Sequence, residues 1–294
     1  MPRSPLRVLV LDAYAPEGRA ALGDVGGTEA GTLYRRMLKR ADAHTEIDIA
    51  YPADGTDELP DRNDLERYDG VAWTGSSLTI HDAEDRRVTR QIEFAREVFA
   101  AGVPSFGSCW AAQLAVVAAG GQCGPHPKGR EFGISRRIAL SDTGRSHAVY
   151  AGKPPIFDAF TSHQDHITFI GPARCLASNA WSPVQAVEVE HARGWFWAVQ
   201  YHPEYDPHEV ASLCRLRRAE LVAQGSFPDD AAAGRFIDDL EALQRDPGDV
   251  ERAGSLGIGE GLLDRDLREI EAHNWIARLR LNDDREPAAN PARE

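Results

Sequence analysis

An open α/β sheet, mainly parallel and covered by helices on both faces, is the fold class this sequence predicts. Three observations lead there. Short apolar strands alternate with longer amphipathic helices through the first 120 residues. At Val103–Leu114 a strand runs into a lone cysteine and then directly into a small-residue helix, the pattern of a nucleophile on a strand-to-helix turn. A further apolar strand, Trp195–Tyr201, carries a histidine and a glutamate just past its end.

The elements follow in order. Leu6–Leu11 reads as a buried strand, interrupted by Arg7 and stopped at Asp12. Gly23–Thr28 is glycine-rich but lacks the Walker lysine and the dinucleotide spacing, so it reads as a loop. Thr28–Arg40 carries a helical pattern through Leu33, Met37 and Leu38. Ile47–Tyr51 is a second strand, stopped by Pro52. Tyr68–Thr74 is a third, ending in the loop Gly75-Ser76-Ser77. Residues 84–101 fit a helix with Gly102 as its stop. The elbow strand and its helix come next, closing at Gly120-Gly121. Ile134–Leu140, His166–Ile170, Ala186–Glu190 and Trp195–Tyr201 then read as strands that extend or cover the sheet edge. From Asp206 the chain turns helical, because Asp206-Pro207-His208-Glu209 supplies an N-cap, a first-position proline and a third-position acid. Asp229-Asp230 opens another helix, stopped at Pro247-Gly248, and a last one holds Leu267, Ile270, Trp275, Ile276 and Leu279. The polar stretch from Asp283 predicts disorder. The organisation expected is an α/β domain over 1–205, a helical extension packed on it over 206–282 and a disordered tail over 283–294. The extension reads as packing and homodimer surface.

Composition narrows the function. Hydrophobic residues at 42% and charged residues at 27% are ordinary for a soluble globular chain. A formal net charge of -13 argues against nucleic acid and anionic membrane as partners. The four cysteines fit neither a zinc cluster nor a dense disulfide framework, so reduced thiols in a cytoplasm are expected. The N-terminal apolar run is too short for a signal-peptide core, and no segment approaches transmembrane length. No cofactor is called for. His163 and His166 invite a metal reading, but alternating strand side chains need not converge and further ligands at suitable spacing are missing.

The chemistry centres on Cys109. Unpaired N–H groups and the dipole at a helix N-terminus favour negative charge, and a thiolate there is a good nucleophile. Taken alone, the segment is equally a buried cysteine in a βα unit. Acyl transfer also needs a base, an orienting group and an oxyanion hole. His202 and Glu204 follow the strand Trp195–Tyr201, at the sheet edge where open α/β sheets build their sites. His202 is placed to move the Cys109 proton, and Glu204 to fix the imidazole tautomer.

Gly107-Ser108-Cys109-Trp110-Ala111-Ala112-Gln113, followed by Gln200-Tyr201-His202-Pro203-Glu204, resembles the class I (triad-type) glutamine amidotransferases. That family has a G-x-C-x-G-x-Q elbow and a G-x-Q-[FY]-H-P-E strand. The resemblance spans residues 6–205 and implies a flavodoxin-like, three-layer fold. Thr74-Gly75-Ser76-Ser77 sits where the family has its S-G-G-P oxyanion loop, and Thr161-Ser162-His163-Gln164-Asp165 resembles its S-H-x-D segment. The resemblance implies Cys109, His202 and Glu204 as a catalytic triad. It implies the backbone N–H groups of Trp110, Gly75 and Ser76 as the oxyanion hole. Gln113, Ser162 and His163 then bind substrate. The activity implied is hydrolysis of the side-chain amide of glutamine, or of a small γ-glutamyl amide, with a separate ammonia-accepting synthase subunit as partner where ammonia is the product. Ala111, Ala198, Ser76 and Ser77 depart from the family's small or rigid residues, and place substrate size or efficiency at issue. The rival reading is a non-catalytic binding or regulatory module that retained the fold.

Overall fold

The structure, a computed structural model, describes residues 4–55 and 59–283. The tail predicted disordered lies, from residue 284, outside the described residues. The strands are β1 (Arg7–Leu11), β2 (Glu46–Ala50), β3 (Gly70–Trp73), β4 (Ser105–Ser108), β5 (Gln122–Pro125), β6 (Glu131–Leu140), β7 (Ile156–His163), β8 (Asp165–Phe169), β9 (Arg174–Ser178), β10 (Ala186–His191) and β11 (Gly194–Val199). Nine form one sheet in the order β2-β1-β3-β4-β11-β10-β9-β6-β7. The five from β2 to β11 are parallel, and β10, β9, β6 and β7 continue the sheet as antiparallel neighbours. The open parallel half matches the predicted class, and the second-half strands extend it as expected. One strand differs. His166–Ile170 does not join this sheet but pairs, as β8, with β5 in a separate antiparallel ribbon.

The helices α1 (Pro16–Asp24), α2 (Ala30–Ala41), α3 (Arg62–Leu65), α4 (Arg86–Ala101), α5 (Trp110–Ala118) and α6 (Asp142–Ser146) precede a C-terminal run. That run comprises α7 (Pro207–Ala223), α8 (Asp230–Arg245), α9 (Val250–Leu256), α10 (Glu260–Leu263), α11 (Arg265–Arg268) and α12 (Ile270–Asp283). Caps act where the sequence placed them. The Asp206 side chain accepts from the Glu209 N–H, that of Asp229 from the Ala232 N–H, and Gly102 ends α4 in the left-handed region at φ 76°. The last expected helix is two, α11 and α12, separated at Glu269. None of the described helices is long and apolar enough to cross a membrane.

Strand side chains alternate between two cores. Leu9, Leu11, Val71, Trp73 and Phe196 face α4 and α5. Val8, Val10, Ala72, Phe106 and Trp197 face α2 and α12. A third cluster packs α7 and α8 around Phe160, Tyr205 and Leu213. α12 is thus part of the central fold. Trp275 is fully buried, its ring 5.8 Å from that of Phe106. A methyl group on Gly70 would lie only 2.6 Å from the Trp275 ring, so strand β3 must carry glycine where the indole crosses it. The buried Lys153 ammonium, 3.0 Å from the Glu271 carboxylate, and Arg40 paired with Glu269 fix the same end of the chain. Replacing Trp275 by alanine is therefore expected to cost about 3–5 kcal/mol in urea unfolding. A loss below about 1 kcal/mol would make α12 a peripheral addition.

Candidate active site

Three neighbouring strands deliver the site at their carboxyl ends. Gly75 lies two residues past the end of β3, Cys109 directly past β4 and His202 three residues past β11, and β4 lies between the other two strands. The Cys109 N–H continues the β4–β11 ladder by donating to the Val199 carbonyl at 2.7 Å, and the His202 N–H donates to the Phe160 carbonyl at 2.8 Å. Cys109 itself holds φ 54° and ψ -101°, a positive φ that a side chain tolerates only under constraint. That turn ends the strand and opens α5, so the thiol stands at a helix N-terminus as the sequence predicted. Trp110 is the first residue of α5, and its N–H has no acceptor within the helix.

The histidine sits in a chain of buried hydrogen bonds. His202 Nδ1 is 2.7 Å from Glu204 Oε1, and both side chains are buried. The Ser108 hydroxyl donates to the same carboxylate oxygen at 2.9 Å, and the Tyr34 hydroxyl donates to Ser108 at 2.7 Å. Tyr205 lies flat on the imidazole, ring centres 3.8 Å apart and planes 7° from parallel. Burial alone would lower the His202 pKa, but the Glu204 carboxylate, the Cys109 sulfur and their hydrogen bonds outweigh it and push it up to about 10. In these surroundings the imidazole favours its imidazolium form. Its ring carbon approaches Gly75 so closely that a methyl group there would lie 3.0 Å from His202 Cε1 and 3.7 Å from Cys109 Cβ. The glycine of this loop is needed for room beside Cys109 and His202.

A cleft of about 460 Å³ opens over these groups. Cys109, Trp110, Gln113, Ser76, Ser162 and His163 all line it. The Ser76 hydroxyl donates to the Ala13 carbonyl at 2.9 Å and accepts from the Leu78 N–H at 3.1 Å, so it braces the loop. The Gln113 amide nitrogen donates to the Asp165 carbonyl at 3.2 Å and to Gln200 at 3.3 Å. The Cys109 thiol is 3.8 Å from the Ser162 carbonyl, and the buried Ser162 hydroxyl has no partner among the described residues. His163 behaves differently from Gln113 and Ser162. Its Nδ1 is 2.9 Å from the Asp165 carbonyl and its Nε2 is 2.8 Å from Glu131, so both ring nitrogens are already engaged. Glu131 in turn gathers Ser135, Asn179 and Gln185, each at 2.8 Å.

Ala111 does not line the cleft. Its methyl group faces the strand, where the glycine at 107 leaves room; a methyl on Gly107 would stand 2.3 Å from it. Ala198 lies beside the same glycine in the β4–β11 register and is buried in the sheet. Those two departures are absorbed away from the thiol.

Sequence reasoning missed Tyr34, Ser108, Tyr205, Arg130, Arg217 and Glu220. The first two are distant in the chain and meet only through sheet closure. Leu213, Arg217 and Glu220 recur at helical spacing on α7 and line the cleft, so a cation on an otherwise apolar helix face was a usable signal. α7 therefore supplies a wall of the site besides packing.

The profile of the glutamine amidotransferase class-I family matches residues 36–213. A gamma-glutamyl-L-1-hydroxyisopropylamide hydrolase of Pseudomonas sp is 35% identical over 227 residues, which is 76% of this chain and 75% of that protein. A glutamine-hydrolyzing GMP synthase of Ralstonia pickettii is 30% identical over 241 residues, 80% of this chain but 41% of the synthase. The chain thus spans less than half of the synthases it matches. Among solved structures, a glutamine amidotransferase from Thermotoga maritima superposes with a TM-score of 0.62 at 16% identity, covering 92% of this chain and 99% of the other. One from Methylobacillus flagellatus gives 0.61 at 19% identity, covering 93% and 94%. These likenesses concern the fold.

The charge on His202 is checked by following its ring proton in an NMR titration. The midpoint is expected near 10, well above the ordinary imidazole value of about 6.5. Glu204→Gln removes the principal charge holding the proton and is expected to move the midpoint down. A midpoint between about 6 and 7 in both proteins would show that the pairing does not hold the imidazolium.

Proposed function

This chain belongs to the class I glutamine amidotransferase family, and from that premise we propose that it hydrolyses the side-chain amide of glutamine or of a small γ-glutamyl amide through a Cys109 thioester. The observation that carries the reading is the meeting of Cys109, His202 and Glu204 at one sheet edge, under a cleft. The Cys109 sulfur, as thiolate, attacks the amide carbon. The N–H groups of Trp110 and of the Gly75-Ser76 turn receive the negative charge that develops on oxygen. One such donor is commonly worth about 10²–10³ in rate. His202 gives its proton to the departing nitrogen, so ammonia or an amine leaves as a neutral molecule. Water, giving a proton back to His202, then attacks the γ-glutamyl thioester, expelling the Cys109 thiolate; the glutamic acid released loses its new proton to solvent, and the thiolate and protonated imidazole of the starting state are restored.

Glu204 holds Nδ1 and so presents Nε2 to the reacting atoms. Gln113 and Ser162 hold the amino-acid end of the substrate. His163, with both nitrogens engaged, shapes the Ser162–Asp165 corner and acts on substrate through that backbone.

A γ-glutamyl alkylamide is the favoured substrate. The relative sharing three quarters of its length with this chain is a hydrolase of such an amide, whereas the synthases share less than half of theirs. Where glutamine is the substrate, a separate synthase subunit takes the ammonia.

The purified protein is expected to release glutamate from a γ-glutamyl alkylamide or glutamine, and Cys109→Ala to lower the rate by at least about 10³. Equal turnover in that variant would sink the mechanism. A diazo-ketone analogue of glutamine is expected to label Cys109 alone. Burial pushes the thiols of Cys123 and Cys214 up to about 12 and raises that of Cys175, which keeps all three protonated and unreactive. Labelling of Cys109 no faster than the others would favour a non-catalytic module.

A further inference from the structure

We propose that Arg130 and Arg217 form a carboxylate-binding subsite of the cleft, tuned by Glu220, that selects amides carrying a free carboxylate. The proposal rests on the hydrolytic reading of Cys109 only for the identity of the ligand.

The two guanidiniums come from different parts of the fold. Arg130 immediately precedes β6, while Arg217 and Glu220 sit on α7, beyond residue 213 where the family profile ends. All three line the cleft that holds Cys109. They are unequally matched, because two cations share one carboxylate. Arg130 reaches Glu220 Oε1 at 3.0 Å and Gln164 Oε1 at 2.9 Å, with only 8% of its side chain exposed. Among the described residues Arg217 makes one long hydrogen bond, 3.4 Å, to the other Glu220 oxygen. Its Nε is buried and has no hydrogen-bond partner among the described residues.

A largely buried cation pair with one counter-charge is electrostatically incomplete. Burial first, and then the charge of Arg217, work against the charge on Arg130. The remaining acid of the cleft, Asp165, is drawn to His81 at 3.5 Å and does not contact either arginine in the described hydrogen bonds. An incoming anion would complete the set. A planar guanidinium offers paired N–H groups that match a carboxylate, so the anion is a carboxylate of the amide substrate. It has two sources, the α-carboxylate of the γ-glutamyl group or a carboxylate on the amine side. The neighbourhood of Arg130 favours the first, since Gln164, which it binds, is part of the Ser162–Asp165 corner proposed above to hold the amino-acid end.

The test uses Cys109→Ala protein, so that intact amides can be titrated calorimetrically. The probes are N-butyl γ-glutamyl amide, the same amide lacking its α-carboxylate, and an analogue whose only carboxylate is on the amine side. Arg217→Met is expected to weaken the first by about 10- to 100-fold and to leave the second unchanged, the range of a charge-assisted contact. Arg217→Lys restores part of the loss. Glu220→Gln, which removes the competing carboxylate, is expected to tighten the first several-fold, a gain that mere structural damage would not give. A loss confined to the third probe would keep the subsite and assign it to the amine side. Unchanged binding of all three probes in Arg217→Met, or weaker binding in Glu220→Gln, overturns the proposal. Failure of the hydrolytic reading appears elsewhere, as absent turnover with Cys109 intact. Cys109-dependent turnover beside unchanged probe binding would remove the subsite alone.

Discussion

The parallel pairing of β4 with β11 is the constraint on which the site depends. In that register Ser108 stands beside Val199, and the Cys109 N–H adds one more rung by bonding the Val199 carbonyl. A thiol at the end of one strand and an imidazole three residues beyond the end of the next are thereby brought to one edge. A shift of one residue would turn the side chains of β4 to the opposite face and move the elbow with them. The strained backbone of Cys109 persists because β4, β11 and α5 all hold it from outside. β3 completes the arrangement with a glycine where a methyl group would press on His202.

Charge inside this edge is stabilised by relay. His202 is buried, yet its positive charge is met by Glu204, and Glu204 is met by Ser108, itself held by Tyr34 from α2. The stacked face of Tyr205 adds the negative side of a ring quadrupole to the same cation. Removing any single partner would leave a charge or a polar atom buried without compensation, which is more damaging than the interaction is worth when made. The same reasoning describes Glu131. Its four hydrogen bonds hold the corner behind the cleft rigid although it touches no reacting group.

The parallel half of the fold was legible because its signals are local. Val8, Val71 and Val199 lie in short apolar runs bounded by turn residues, and Asp206, Asp229 and Gly102 mark helix ends. Cys109, His202 and Glu204 were legible for a different reason, as two short motifs in a fixed order. What escaped depends on tertiary closure. β7 follows two prolines and mixes Asp158, Thr161 and Ser162 into its apolar residues, so its alternation is blurred. β8 has an ordinary strand pattern, and nothing in it says which sheet it joins. Ser108 looks like a small spacer until Glu204 arrives from β11. Arg217 stands on the apolar face of α7 with no evident purpose until the fold brings Arg130, just before β6, to the same cleft.

The crossing of Trp275 over Gly70 has a bearing on how the chain is made. β1, β3 and β4 emerge from the ribosome early, and α2 covers part of the face containing Val8, Ala72 and Phe106, yet the rest of that face stays open until α12 has been translated. Contacts of such long sequence separation form late, after the loop entropy between them has been overcome. The elbow strand is therefore synthesised well before its own support is in place. A nascent chain stalled between α8 and α12 would display the apolar strip that Trp275 covers, a surface for chaperones rather than for substrate.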